Sequence, residues 1–399
     1  MDKMNKGSDV CMNKVLNFIL AVFLMIPLVG CASVHKQPDN NKDVSQIINN
    51  SGGNTETPEE SYKQLFGDVK IKTLRAQLPD ERPWLEMAIS DKGEIFGFAP
   101  KNNGKPGELI TYDLNTGTTQ SIYSAKDDAG PIFFKYNDNY LTWTETSSNS
   151  DQGISRIVVY DRKNKNVTVV SEKNKIPSSI SYEMVALGSD YLLWSTGKMD
   201  KDNVNYKIMK YDLKTQKTSV FKENATMPII GKNFIAWLGP EDEKMKYSAI
   251  FINDLQDNSI KKIMTEGQHP THINTDGTSI VFNGVAETDT NSKMLSIYQN
   301  GKVQIIKKSN TDYFEFPEIS QNFVGWRGTL KLSVYSRKDA KIGILTEEYA
   351  DYTEVKVSDK YIMWHSPAIK DENEAKLKAI EQNIYLSDLH IISNDDIVK

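Results

Sequence analysis

Three hydrophobic regimes follow one another along the chain. Over residues 15–29 apolar side chains run almost unbroken, with Asn17 as the polar interruption. Residues 32–61 are then mostly Asn, Ser, Asp, Lys, Gly, Thr and Glu. From residue 62 onward short apolar bursts recur at a regular interval. The bursts read Ile95-Phe96-Gly97-Phe98, Tyr140-Leu141-Thr142-Trp143, Tyr191-Leu192-Leu193-Trp194 and Phe234-Ile235-Ala236-Trp237. They continue as Ser279-Ile280-Val281-Phe282, Phe323-Val324-Gly325-Trp326 and Tyr361-Ile362-Met363-Trp364. The terminal aromatics are 45, 51, 43, 45, 44 and 38 residues apart.

Each burst is followed by a second run, often opened by Tyr-Asp, as in Tyr112-Asp113-Leu114, Tyr160-Asp161-Arg162 and Tyr211-Asp212-Leu213. Turn formers such as Asn115-Thr116-Gly117 and Asn300-Gly301 come next, and then a β-rich stretch such as 167–170 or 303–306. Strand, tight turn and strand is a hairpin signature. A further strand precedes each burst: the ten residues ending at Trp237, from Pro228, align without a gap to the ten ending at Trp326, from Pro317. Each unit therefore supplies four short strands. One such sheet cannot bury both faces, so neighbouring units must stack about an axis.

A repeat near 45 residues is the size of a propeller blade. The expected fold is all-β, a β-propeller of four-stranded blades occupying residues 62–399, with seven blades and six or eight as the alternatives. The seventh unit is expected to place its third strand near Ile384-Tyr385-Leu386 and to have a weak fourth. An orphan run, Val69-Lys70-Ile71-Lys72-Thr73-Leu74, is available to complete that blade as its outermost strand. The stretch Asn274-Thr275-Asp276-Gly277-Thr278-Ser279-Ile280-Val281-Phe282 resembles the characteristic repeat of TolB-like and WD40-like propellers of bacterial envelope proteins, and Ser90-Asp91-Lys92-Gly93-Glu94-Ile95 is a looser copy. That resemblance implies a fold shared by binding modules, accessory domains and some enzymes, and it names no activity.

The N-terminus has the composition of a signal peptide. Lys3, Lys6 and Lys14 precede an apolar run of about 15 residues, too short for a membrane span. The run ends Leu28-Val29-Gly30-Cys31, which resembles the lipobox of bacterial lipoproteins. The resemblance implies cleavage before Cys31, acylation of its thiol (diacylglyceryl, with palmitate-type chains) and tethering at the extracytoplasmic face of the cell membrane. An ordinary signal peptide with an incidental cysteine, or an uncleaved anchor helix, is the alternative. Met12 opens a second, more typical leader, so translation from Met1 or Met12 is left open. The expected organisation is a leader over 1–30, a lipidated and flexible tether over 31–61, and the propeller over 62–399. A coil of about 30 residues spans roughly 30 Å.

Charge changes the picture little. The formal net charge is −5 in 399 residues, with both signs interspersed, which argues against a nucleic-acid partner. Cys11 and Cys31 are the two cysteines; loss of the leader leaves one, so no internal disulfide is expected. The chain carries no G-x-S-x-G, H-E-x-x-H, P-loop or G-x-G-x-x-G motif. The stripe Trp143, Trp194, Trp237, Trp326 and Trp364 reads as inter-blade core rather than as a stacking ring for a ligand. His269 and His272 are the candidate metal ligands, but three residues apart on a strand they point to opposite faces, and no third ligand has matching spacing. No metal, cofactor or catalytic residue is therefore assigned. Polar loops over 145–155, 196–206, 239–247, 285–292 and 365–383 are expected on one rim, with a short helix over 371–382. The expected function is that of a lipid-anchored, non-enzymatic scaffold binding a protein or cell-wall glycan. The alternative is a polysaccharide-active lyase or glycosidase using His269 or His272 and rim carboxylates.

Overall fold

The computed structural model describes residues 57, 59–101, 104–126, 129–147, 153–174, 183–200, 203–241, 248–329, 331–346, 354–366 and 388–397. The expected leader, Cys31 and most of the tether lie outside the described residues, as does the helix expected over 371–382.

The strands form seven sheets, each built on four antiparallel strands. Blade 1 spans residues 85–124, blade 2 129–174, blade 3 185–223, blade 4 226–262, blade 5 268–309 and blade 6 315–346. Blade 7 combines Val355–Val357, Tyr361–Ser366 and Asp388–Ser393 with an outermost strand, Ile71–Arg75, from the other end of the chain. The chain is a seven-bladed β-propeller.

One expectation for the last blade is corrected: its described third strand is Asp388–Ser393, beyond the Ile384-Tyr385-Leu386 run, which lies outside the described residues. The expected closure by the orphan run is met: Ile71 to Arg75 pair with Ile392 to Asp388 as the outermost strand of the blade. The closing strand covers a C-terminal edge that would otherwise stay open.

The N-terminal segment also does more than tether. Glu59–Ser61 adds a fifth, parallel strand to the outer edge of blade 6. The helix Tyr62–Phe66 follows, capped by Ser61 and Gln64 in a reciprocal capping box. Phe66 meets Phe323 edge-on and Tyr62 packs on Trp364, so this turn fills the outer seam between blades 6 and 7. The ordered body therefore begins before residue 62.

Seven hydrophobic clusters lie between adjacent blades, and six of them include the aromatic that ends a burst. Trp143, Trp194, Trp237, Phe282, Trp326 and Trp364 serve six of them. The seventh departs from the sequence pattern. The Leu114 N–H reaches the Gly93 carbonyl, as Leu213 reaches Asp190 and Leu255 reaches Asn233. This register makes Gly97, not Phe98, the counterpart of Trp194 and Trp237. The space is filled by Trp84, which enters from the preceding strand; a Cβ on Gly97 would lie 2.5 Å from its ring.

Candidate ligand site in the central channel

The innermost strand of a blade is an edge strand, which explains why Pro131, Pro228, Pro270 and Pro317 are tolerated there. In blades 2, 4 and 6 these strands share one bulge. Lys135, Ile229 and Glu318 pair with Thr142, Ala236 and Gly325, and the register then slips by one residue. Phe133-Phe134, Met227-Pro228 and Phe316-Pro317 are left opposite Trp143, Trp237 and Trp326. The gap-free match between the Pro228 and Pro317 segments is this bulge written in sequence. Phe133, Met227 and Phe316 take φ values of 52°, 50° and 48°. Bulky residues in the left-handed region cost roughly 1–2 kcal/mol each. All three remain half-buried on the innermost strands.

Two residues along, toward the tight turns, the innermost strands present a second tier. The equivalent positions, each paired with the third residue of a burst, are Ala88, Lys135, Ala186, Ile229, Asn274, Glu318 and Lys356; in blade 1 that partner is Phe96 by the corrected register. The three apolar members fall in blades 1, 3 and 4. The polar members of blades 2, 5, 6 and 7 join hands across the channel. Lys135 Nζ donates to Asn274 Oδ1 at 3.2 Å, linking blades 2 and 5. Asn274 Nδ2 donates to Glu318 Oε2 at 3.0 Å and to the Pro317 carbonyl at 3.2 Å. Lys356 Nζ lies 3.6 Å from Glu318 Oε1 and also pairs with Glu354. Beside this network Glu86 pairs with the buried His365.

Glu318 lies deep inside the ring yet keeps 29% of its side-chain surface accessible, as a group lining a channel should. Burial works against its charge, but Lys135 and Lys356, with the Asn274 hydrogen bond, outweigh it and hold the carboxyl below its ordinary pKa. Burial likewise opposes the Lys356 charge, and Glu354 and Glu318 more than offset it, raising its pKa. His272 faces the opposite outcome: burial first, then Lys135, lower its pKa to about 4 against the pull of Glu318. It is neutral at pH 7. The bulged side chains stand toward the long-loop rim, Phe133 and Met227 packed against the clusters between blades 2 and 3 and between blades 4 and 5 and Phe316 against His272 and Arg327, and the polar tier lies beneath them.

The residues singled out from sequence separate in the structure. The five tryptophans are at most 2% exposed and sit between blades. His269 turns to blade 4, with Nδ1 3.3 Å from Glu241 Oε2, while His272 packs edge-on against Phe316 of blade 6. The two histidines thus diverge, and among the described residues no group of three or more His, Cys, Asp or Glu side chains could hold a metal ion. The expected loop over 196–206 is largely strand: Tyr191–Asp200 and Asn203–Asp212 pair continuously through ten registers. Lys135, Asn274, Glu318 and Lys356 escaped sequence reading. Their signal was a polar residue at a repeat position that other units fill with Ala or Ile.

No model of a known protein family matches the sequence, and none of the curated proteins does. Solved structures are similar in fold. An oligogalacturonate lyase in complex with manganese shares 13% identity, covering 84% of this chain and 96% of its own, at a TM-score of 0.54. The β-propeller domain of the trilobed protease from Pyrococcus furiosus shares 13% identity over 73% of this chain and 97% of its own, at 0.51. TolB from Acinetobacter baumannii shares 13% identity over 64% of each chain, at 0.41. At these identities the likeness concerns the fold.

Proposed function

We propose that the protein is a surface scaffold, tethered through a lipidated Cys31 at the outer face of the cell membrane, whose channel cup binds an envelope glycan. The observation that carries the reading is the cup itself. Polar side chains from four blades, Lys135, Asn274, Glu318 and Lys356, converge inside the ring, the kind of small polar set that orients a small ligand or polymer segment. Lys135 and Glu318 offer a donor and an acceptor for hydroxyl groups.

The test is sedimentation of the full mature chain with isolated wall polymers. Lys135→Ala and Glu318→Ala should each weaken retention at least tenfold while leaving circular dichroism unchanged. Undiminished retention in both variants would remove the channel from the binding site.

A polysaccharide-active enzyme is the second reading, favoured by one observation. His272 is neutral at pH 7 and stands beside Lys135, so it is in the form that accepts a proton. The likeness to an oligogalacturonate lyase supports trying that substrate first, with and without manganese. Degradation by the wild type, abolished in His272→Ala, would replace the scaffold reading.

A further inference from the structure

The charges in the cup restrict what can enter it. The floor holds two ammonium groups, Lys135 and Lys356, and two carboxylates, Glu318 and Glu354. Glu86 adds a third carboxylate, against the His365 imidazole and within reach of Lys356. His272 carries no charge at neutral pH. Just above the floor Arg327 lies over the Phe316 ring and is held by Glu315. Among the described residues, each of these cations is therefore already opposed by a carboxylate or engaged with an amide.

Such a floor has no surplus positive charge for a uronate or phosphodiester group. An anionic ligand would have to displace Glu318 from Lys356, or sit beside Glu318 as a second like charge in a poorly solvated channel. Hydroxyl and acetamido groups face no such conflict. They can donate to Glu318 and to His272, and accept from Lys135, without breaking the ion pairs.

We propose that the cup selects an uncharged glycan, built of neutral hexose or N-acetylhexosamine units, and rejects acidic polymers. This rests on the reading of the cup as a glycan site. It also separates the protein from what its oligogalacturonate lyase neighbour is named for.

The experiment is isothermal titration of the full mature chain with oligosaccharides of matched length: gluco-oligomers, N-acetylglucosamine oligomers and oligogalacturonates, at low and high salt. The expected result is binding of at least one neutral series, with affinity changing less than twofold between the two salt conditions, and oligogalacturonate binding at least tenfold weaker. Glu318→Gln removes one carboxylate at nearly constant volume and leaves the floor with a surplus cation. It should lower affinity for the neutral series and raise oligogalacturonate affinity at least fivefold at low salt. If that variant fails to fold, Glu354→Gln makes the same change of charge. Preference of the wild type for oligogalacturonate, or affinity falling steeply with salt, would overturn the selectivity while leaving a glycan site in place. Binding of no oligosaccharide in any series would instead bring down the glycan reading, and the selectivity with it.

Discussion

At the scale of single residues, the aromatic between each pair of blades carries the most weight. Trp237 is 2% exposed, stacks on Phe251 at 6.2 Å and meets Phe221 edge-on at 6.1 Å. Trp237→Ala should cost about 3–5 kcal/mol, read as a lower urea midpoint, with glycan binding kept in the protein that remains folded. An unchanged midpoint would contradict the inter-blade assignment. Gly97 makes the converse case. Gly97→Ala drives a methyl into Trp84, and such overpacking costs roughly 1–3 kcal/mol; Trp84→Leu in the same chain should recover part of that loss. Five tryptophans were legible as core because they recur in one repeat position. Trp84 was not, because it arrives from a different strand and its repeat position holds a glycine. Asp276 shows a third kind of residue. It lies in the stretch that resembles TolB-like repeats, accepts the N–H groups of Thr278 and Ser279 at 2.7 Å each, and pairs with Arg337. Burial alone would raise its pKa, but those partners outweigh it and the folded-state pKa lies below the ordinary 3.8. A depressed carboxylate stabilises the fold above the unfolded-state value and loses that contribution as pH falls through the folded one. Asp276→Asn should therefore melt below the wild type at pH 7, and the gap between them should narrow below about pH 4.

At the scale of elements, the N-terminal belt decides how the ring closes. The run 69–74 was legible because an isolated strand with no neighbour in sequence must pair elsewhere, and an open last blade was the available partner. The strand Glu59–Ser61 was not. Glu-Glu-Ser reads as tether, and its fit depends on lysines far along the chain. Glu59 pairs with Lys307 and with Lys331, the latter at 2.7 Å, and Glu60 with Lys341 at 3.1 Å. Thr57 reaches one blade further, donating to the Ile306 carbonyl of blade 5 at 2.7 Å. These contacts reorder the expected effect of truncation. Removal of residues 1–56 should leave the melting temperature nearly unchanged. Removal through residue 61 should lower it by a few degrees, since it deletes a short strand and three partly exposed ion pairs, each worth roughly 0–1 kcal/mol. Removal through residue 78 should lower it most, because the closing strand and the Phe66 seam go together. Thermal melts of the three truncations check the ranking, and equal values for the last two would show that Ile71–Arg75 does not seal the ring.

For the whole molecule, periodicity sufficed for the architecture because a propeller is one supersecondary unit repeated, and each repeat restates the same apolar pattern. The cup was hidden for the complementary reason: it is made where the repeats differ. Lys135, Asn274, Glu318 and Lys356 stand in four blades, far apart in sequence, and only the ring brings them within hydrogen-bonding distance. The ring also determines how the expected anchor would present that cup. The belt leaves the body at Thr57, on the outer edge of blade 5, so the tether departs from the side wall and both rims stay clear of the attachment point. Under the proposed anchoring, retention rests on Cys31; among the described residues no helix is long and apolar enough to cross a membrane. Two acyl chains anchor firmly where one does so only reversibly, each buried methylene contributing about 0.8 kcal/mol. Cys31→Ser should therefore abolish processing or release the protein from the membrane fraction. The propeller's melting temperature should not change, because its seven sheets are built from strands between Glu59 and Ser393, which exclude the substituted site. Fractionation of cells expressing each form, with melts of the purified proteins, checks both halves. A Ser variant recovered as a processed, membrane-bound protein would show that something other than the Cys31 thiol holds the propeller at the surface.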